Sequence, residues 1–240
     1  RLSLVGSEMC IRDSLQKNIR GNKIILVQEG IIDPESIMYR LVKRLRFLPR
    51  WMADTGMTGL SDAYLAFCVA SEGYRDFFIR RGARPEKIVA TGIPNFDNCR
   101  RYCTNSFPYR HYVLACTSAL RELFHREDRE AFIRKAVEIA GGRQLIFKLH
   151  PNENVKRATR EIRRHAPGAM VFTTGSAEEM IANCDVLITR FSSTAFVGLA
   201  LNKETFSDFS MEELRRLMPV QHGSAALKIA NVCRRFLEED

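Results

Sequence analysis

The pentapeptide RFSST at residues 190–194 carries side chains that suit the binding of a phosphate group. It follows the apolar run DVLIT, so the hydroxyls of Ser192, Ser193 and Thr194 lie beside the free backbone N–H groups of a predicted helix start. Such N–H groups bind anions readily, and the guanidinium of Arg190 matches phosphate oxygens with two parallel hydrogen bonds. An ordinary serine helix cap beside a surface arginine is the alternative interpretation.

Three further segments place polar side chains directly after apolar, strand-like runs. Ligands of an open parallel sheet bind beyond the carboxyl ends of its strands, so these residues can meet Arg190 in one cleft. The cations among them predict an anionic ligand, although Lys148 and His150 could equally form an exposed pair at a strand end. The segments follow YVLAC, QLIF and AMVF and contribute Thr117, Arg121, Lys148, His150, Thr174 and Ser176.

The sequence lacks the common signatures of other phosphate and metal chemistry. It contains no GxGxxG, no P-loop and no DxD pair. The cysteines number seven, and most lie in apolar runs such as FCVA, where cysteine behaves as a small hydrophobe. The pair in CRRYC has no second Cys/His pair at zinc-ligand spacing. We therefore expect no metal site and a reduced, cytoplasmic location.

Residues 111–240 contain the elements that must position these side chains. The strand-like runs YVLACT, QLIFKL, AMVFTT and DVLIT alternate with helical patterns at 126–140, 154–165, AEEMIANC and STAFVGLAL, and further helices are predicted near 211–217 and 224–237. Strict alternation of strands and helices is typical of βαβ units and a parallel sheet. We predict an α/β fold in which 111–240 form one complete doubly wound domain.

The preceding residues predict part of a second α/β domain over 15–96. Strand-like runs occur in IILVQ, AYLAFCVA and KIVAT, and helical patterns occur over 36–48 and in YRDFFIRRG. Residues 97–110 hold turn formers without a clean period and are interpreted as a domain linker.

The opening residues 1–14 show neither a signal-peptide order nor a capped helix. From about residue 4 to residue 14 they resemble translated sequencing-adapter sequence. We expect this segment to be non-native or a disordered tail, and the first part of the N-terminal domain to be missing.

Charge composition limits the partners without selecting one. The 37 Lys and Arg against 28 Asp and Glu give a net charge of +9, which attracts nucleic acid, anionic lipid or phosphorylated small molecules. The basic residues are spread over several helices without aromatic interleaving, so we expect no nucleic-acid partner. No apolar run reaches the roughly 20 residues of a membrane span.

Several segments resemble GT-B-fold transferases of bacterial surface polysaccharide and teichoic-acid synthesis. LIFKLHP, DVLITRFSSTAFVGLALNK and YVLACTSALRE resemble their C-terminal domain, most of all the CDP-glycerol glycerophosphotransferase-like group, with weaker similarity to UDP-N-acetylglucosamine 2-epimerases. VASEGYRDFFIRRGARPEKIVATGIPNFD is similar to the last strands of the N-terminal domain. The resemblance spans about residues 23–237 and implies a GT-B-like fold, with a complete C-terminal domain and the C-terminal part of a second α/β domain.

The resemblance also implies roles for individual residues. His150 and the serine pair 192–193 would bind the diphosphate of a CDP- or UDP-activated donor, Thr117 and Arg121 would lie near the phosphates, and 173–176 would approach the base or ribose. The family commonly has His-Gly where this chain has Glu29-Gly30, so Glu29 is either the general base or the mark of an altered site. Arg190 stands where the family often has an aspartate.

The sequence thus predicts a metal-independent transferase that needs no cofactor beyond its nucleotide-activated donor. It would move a glycosyl or polyol-phosphate group to a hydroxyl acceptor in cell-surface polymer synthesis, with Glu29 and His150 as catalytic residues. Lys148, Arg190 and the serine pair would stabilise the leaving diphosphate in place of Mg²⁺. The alternatives are a UDP-sugar 2-epimerase-like enzyme, a basic nucleic-acid-binding protein, and a fragment that binds nucleotide without catalysis.

The predicted helix over 36–48 is basic and amphipathic. Such a helix either lies on an anionic membrane or packs on its own sheet with a solvated basic face. The first interpretation would place the protein at the inner face of the cell membrane, near a membrane-linked acceptor.

Overall fold

The computed structural model describes residues 24–32, 41, 44, 64–123 and 127–238. The adapter-like segment 1–14 lies outside the described residues, as does the predicted helix over 36–48 apart from residues 41 and 44. The chain divides into two compact units, of which one comprises 1–97 and 217–240 and the other 98–216.

The first unit contains a three-stranded parallel sheet in the order β1-β2-β3. Helix α1 begins after Ser71, whose hydroxyl accepts a hydrogen bond from the Tyr74 N–H, and it ends at Gly82 in the left-handed region. The buried rings of Phe67 and Phe78 meet edge to face with centroids 4.6 Å apart. The elements are β1 Ile25–Val27, β2 Ala66–Val69, α1 Glu72–Arg81 and β3 Ile88–Ala90.

The C-terminal segment belongs to this first unit, whereas the sequence-based limits put it in the second domain. Helix α7 spans Ala225–Glu238. The N–H of its first residue, Ala225, donates a hydrogen bond to the Asp97 carboxylate at 2.8 Å. The Val220 N–H donates to the Ala70 carbonyl at 3.1 Å. These bonds join residues more than 100 positions apart, which local sequence patterns do not reveal.

The second unit contains a five-stranded, entirely parallel sheet in the order β6-β5-β4-β7-β8. The α/β parallel-sheet prediction is confirmed, and β8 is an additional edge strand that the sequence analysis missed. Its elements are β4 Val113–Cys116, α2 Arg129–Ala140, β5 Leu145–Lys148, α3 Val155–His165, β6 Met170–Phe172, α4 Ala177–Asn183, β7 Val186–Ile188, α5 Thr194–Ala200, β8 Glu204–Phe206 and α6 Met211–Leu217.

Helix caps and one buried face fix these elements. Asp128 caps α2 by accepting from the Ala131 N–H, so the helix begins at residue 129 rather than 126. Asn154 caps α3 in the same way by accepting from the Arg157 N–H. Alternate residues of β4 and β5 pack with the apolar faces of α2 and α3 to form the core.

The segment predicted as a linker packs on the second unit. A short 3₁₀ helix spans Cys99–Cys103, and the Asn105 amide donates to the Asn183 side chain at 3.0 Å. The Phe107 ring contacts that of Phe172 edge to face at 5.3 Å. Turn-forming residues therefore do not mark a solvated connection here, because the side chains between them are anchored.

Candidate functional site

The strand order of the second unit reverses at β4, which lies between β5 and β7. In open parallel sheets, ligands bind in the crevice outside the carboxyl ends of the strands at such a reversal. The loops after β4, β5 and β7 hold most of the predicted site residues. Thr174 and Ser176 follow β6 instead, and Glu29 lies in the first unit, exposed beyond the carboxyl end of β1.

A buried carboxylate, Glu153, joins the loops after β4 and β5. It accepts hydrogen bonds from the Thr117 hydroxyl and from the His150 N–H, the latter at 2.9 Å. It also pairs with the Arg129 guanidinium at 2.5 Å, and both side chains are almost fully buried. The His150 N–H also lies 3.1 Å from the Thr117 hydroxyl oxygen, so the two predicted residues are neighbours, but the Thr117 hydroxyl donates to Glu153, a residue that the sequence analysis did not identify.

The imidazole of His150 is held in one tautomer. Its Nδ1 accepts from the Asn152 N–H at 3.2 Å, so Nε2 carries the proton of the neutral ring. Loss of solvation lowers the pKa of His150, Lys148 lowers it further, and the opposing influence of Glu153 and Glu122 does not restore it. At neutral pH, His150 is therefore a neutral hydrogen-bond donor rather than a cation.

Arg121 is part of an ion-pair network in which each arginine touches at least one carboxylate. It binds Glu161 through two hydrogen bonds, of 2.9 and 2.8 Å. These bonds raise the pKa of Arg121 and lower that of Glu161. The Arg121 Nε also lies 3.3 Å from the carboxylate of Glu127.

Arg190 is also compensated by carboxylates. Its Nε donates to Asp208, beyond β8, at 2.7 Å, and its Nη1 lies 3.8 Å from Glu127. The Ser207 hydroxyl donates to the Arg190 carbonyl at 3.0 Å, which ties the loops after β7 and β8 together. Arg190 lies after β7 as the sequence predicts, and its guanidinium is already paired with two carboxylates, so its binding of an anion stays a prediction.

The serine pair lies at the start of α5. The Thr194 N–H and hydroxyl both donate to the Ser192 hydroxyl oxygen, at 3.3 and 2.9 Å. Ser193 is the N-cap residue, yet its side chain makes no capping hydrogen bond. Next to the pair, the Phe191 ring is 41% exposed and packs edge to face on Phe209, with centroids 5.0 Å apart.

Lys148 is a buried cation at the end of β5. Its ammonium donates to the Leu149 carbonyl at 2.8 Å, and within the described residues it forms no ion pair. It shares a face of the sheet with Cys116, whose pKa burial raises to about 12, with the nearby Lys148 charge acting in the opposite direction. A buried ammonium without a carboxylate partner among the described residues is suited to an anionic ligand, and the prediction that Lys148 binds one stays a prediction.

The remaining predicted pair, Thr174 and Ser176, follows β6. Thr174 is exposed, whereas the Ser176 hydroxyl caps α4 by accepting from the Glu179 N–H and also donates to Glu178 at 2.8 Å. The Ser176 side chain therefore has a structural role in this conformation.

Metal ligands and membrane spans were sought across the described part of the chain. No group of three His, Cys, Asp or Glu side chains is arranged to hold a metal ion there. None of the described helices combines the length and apolar character that crossing a bilayer requires. The cysteines within these ranges are free thiols.

Comparison with known proteins supports the fold. No family model and no curated protein matches the sequence. S. aureus MnaA in its co-structure with UDP is 11% identical, with a TM-score of 0.63 over 96% of this chain and 78% of that chain. UDP-GlcNAc 2-epimerase from Neisseria meningitidis bound to UDP-GlcNAc is 10% identical, with a TM-score of 0.59 over 94% and 79%.

A third solved structure, a variant of the wall teichoic acid polymerase TagF soaked with CDPG, is 13% identical. Its TM-score is 0.55 over 92% of this chain and 69% of that chain. The chain thus shares the GT-B-like fold of the proteins that the sequence resembles, and the predicted relation is confirmed at the level of the fold.

Proposed function

We propose that the second unit binds the diphosphate of a nucleotide-activated donor at the strand-order reversal between β4 and β7. The observation that carries the proposal is that Lys148, His150, Arg190 and Ser193 all lie at or just after the carboxyl ends of β5 and β7, the two strands that flank β4, and that His150 presents Nε2–H as a donor. Proteins of the same fold carry UDP, UDP-GlcNAc or CDPG in their solved structures, which supports this ligand class.

Each group has a distinct part in binding. Ser192 and Ser193 donate hydrogen bonds to phosphate oxygens, and Arg190 exchanges its contact with Asp208 for the ligand. Lys148 contributes a fixed positive charge from within the sheet, and Thr117 orients the His150 backbone through Glu153. Thr174 and Ser176 face the base or ribose, and Arg121 lies beside the phosphates.

The reaction we propose is a metal-independent transfer in cell-surface polymer synthesis. A hydroxyl acceptor attacks a CDP- or UDP-linked donor at one of two atoms. Attack at the sugar carbon breaks the C–O bond and releases the nucleoside diphosphate, whereas attack at the phosphorus of a polyol phosphate breaks the P–O–P bridge and releases the nucleoside monophosphate. The acceptor proton passes to Glu29, and the negative charge that develops on the leaving phosphate group is stabilised by Arg190, Lys148 and the neutral His150 donor. We further propose a membrane-linked acceptor and association with the inner face of the membrane through residues 36–48.

Thermal-shift titration of the chain with CMP, CDP, UMP, UDP, GDP and ADP, without added metal, tests donor binding. A ligand that binds only the folded state raises the melting temperature in a concentration-dependent way. We expect CDP or UDP to stabilise the protein selectively and Arg190→Ala to abolish the shift. Arg134→Ala is the matched control, because Arg134 forms an exposed pair with Glu130 on α2.

The absence of a shift with every nucleotide, in a sample that unfolds cooperatively, would contradict the donor-site proposal. If a nucleotide does bind, product analysis separates transfer from epimerisation, because transfer requires an acceptor and epimerisation changes the donor alone. Co-sedimentation with vesicles tests the membrane part, and binding that is indifferent to anionic lipid content would argue against it.

A further inference from the structure

Glu127 is the carboxylate around which the arginines of this sheet edge are arranged. Its side chain is fully buried, and Arg129 binds it through Nη2 at 2.9 Å and Nε at 3.2 Å. The Arg121 Nε lies 3.3 Å away and the Arg190 Nη1 lies 3.8 Å away. The Ser118 hydroxyl donates to it at 3.3 Å. One buried carboxylate thus faces three guanidinium groups.

The two outer arginines are each shared between Glu127 and a second carboxylate. Arg121 is shared with Glu161, whose side chain is 28% exposed, and Arg190 with Asp208, whose side chain is 30% exposed. These outer carboxylates can turn into water when an anion approaches. Glu127 is enclosed, so its charge stays beside both guanidinium groups whatever else binds them.

The inner arginine, Arg129, keeps Glu127 in place. Arg129 is almost fully buried, and it also binds Glu153 and the Ser118 carbonyl. Its Nη1 has no hydrogen-bond partner among the described residues. A guanidinium that is buried between two carboxylates disfavours their departure, because separation would leave an uncompensated charge in a medium of low dielectric constant.

We propose that Glu127 is a positioning residue that sets the strength of phosphoryl-group binding by competing with the ligand for Arg121 and Arg190. The proposal rests on the proposed function, which supplies the phosphoryl ligand. A buried carboxylate that shares both guanidinium groups with a bound phosphate lies close to it, and at an effective dielectric constant of about 20 the repulsion between two negative charges at such a separation weakens the binding of an anion substantially. Weaker binding of the phosphoryl group lets an enzyme of this kind release its nucleotide product quickly, whereas tight binding would slow product release.

Glu127→Gln tests the proposal by removing the charge while keeping a side chain of similar shape. We expect the Kd for CDP or UDP, measured by isothermal titration calorimetry, to fall by roughly tenfold or more. The gain in affinity should be smaller for CMP or UMP and absent for the uncharged nucleoside. A purely structural role of Glu127 would not produce this dependence on ligand charge. Glu130→Gln, on the exposed side of α2, makes the same change in net charge and should leave the Kd unchanged.

A second measurement does not depend on nucleotide binding. Labelling with phenylglyoxal followed by mass spectrometry reports how accessible each guanidinium is. We expect Arg121 and Arg190 to react faster in Glu127→Gln than in the wild-type protein, with the exposed Arg160 and Arg164 as internal references. Glu127→Asp is the second variant if Glu127→Gln does not fold. Its shorter side chain keeps a negative charge beside Arg129 but moves the carboxylate away from Arg190. We therefore expect the labelling of Arg190 to accelerate in this variant as well.

The outcomes separate the two proposals. If the wild-type protein binds CDP or UDP and Glu127→Gln binds them no more tightly, the role of Glu127 is overturned while the donor site stands. Labelling of Arg190 that does not change in the Glu127 variants also overturns it. If no nucleotide binds either protein but labelling accelerates, the donor site fails and the positioning of the arginines by Glu127 is upheld.

Discussion

The loops after β5 and β7 reach the same edge of the second sheet, but different interactions hold them. The β5 loop is fixed by Glu153, which receives the His150 N–H and binds Arg129 in the interior. The β7 loop is fixed mainly by short hydroxyl contacts within itself and by Arg190 with Asp208 near the surface.

The contacts that hold the β5 loop are buried, whereas those that hold the β7 loop lie near the surface. Breaking a buried ion pair by removing one partner is strongly destabilising, whereas exposed ion pairs contribute little to stability. In the proposed donor site, a ligand would therefore replace the surface ion pair of the β7 loop at low cost, whereas the buried ion pair of Glu153 would hold the β5 loop in place. The following four predictions test this contrast, beginning with the largest effect.

Glu153→Gln should destabilise the second unit by about 3–5 kcal/mol, because Arg129 loses one of its two buried carboxylates. Urea unfolding measures the loss. Glu130→Gln is the control and should change stability by less than about 1 kcal/mol, since its pair with Arg134 is exposed. A Glu153→Gln protein as stable as the wild type would show that the β5 loop is not held by this carboxylate.

Gly198→Ala should cost about 1–3 kcal/mol by overpacking. Gly198 lies on α5 where the helix meets the sheet, and an added Cβ would lie 2.6 Å from Thr205 Oγ1 and 2.7 Å from Leu187 Cδ2. Gly168→Ala is the matched control, because nothing lies within 4 Å of its added Cβ. Equal unfolding midpoints for the two variants would mean that the base of the β7 loop can move away from the sheet.

The contribution of His150 to stability should depend on pH. The folded state lowers the pKa of His150 below its usual value of about 6.5, so the unfolded chain binds the proton more tightly. This contribution is complete above about pH 6.5 and is lost as the pH falls from there through the folded-state pKa. The difference in melting temperature between the wild type and His150→Gln should be constant above pH 7 and should change below pH 6.5. Parallel curves from pH 8 to 5 would contradict the prediction.

Asp208→Asn should have a small effect, a loss of at most about 1 kcal/mol in urea unfolding, since its ion pair with Arg190 lies near the surface. Ser193→Ala serves as its companion and should be close to neutral, because the Ser193 side chain makes no capping hydrogen bond. A loss comparable to that of Glu153→Gln would remove the distinction between the two loops.

Much of the architecture follows from the sequence. The apolar runs before Thr117, His150, Thr173 and Arg190 predict four parallel strands, and β4, β5, β6 and β7 are found there. β8 was missed because Glu204–Phe206 is a three-residue edge strand without an apolar run. The membership of 217–240 in the first unit depends on distant bonds such as the one between Ala225 and Asp97.

Strand periodicity is encoded locally, so the amino-acid sequence is enough to predict which residues stand at the carboxyl ends of the strands. Which carboxylates meet those residues depends on how the elements pack in three dimensions. Glu127 lies in the loop before α2, Glu153 precedes the cap of α3, and Asp208 follows the edge strand β8. Only the packing of the sheet and its loops brings these carboxylates to the cations. Charge compensation acts through space over a few ångströms, so it leaves no periodic pattern along the chain.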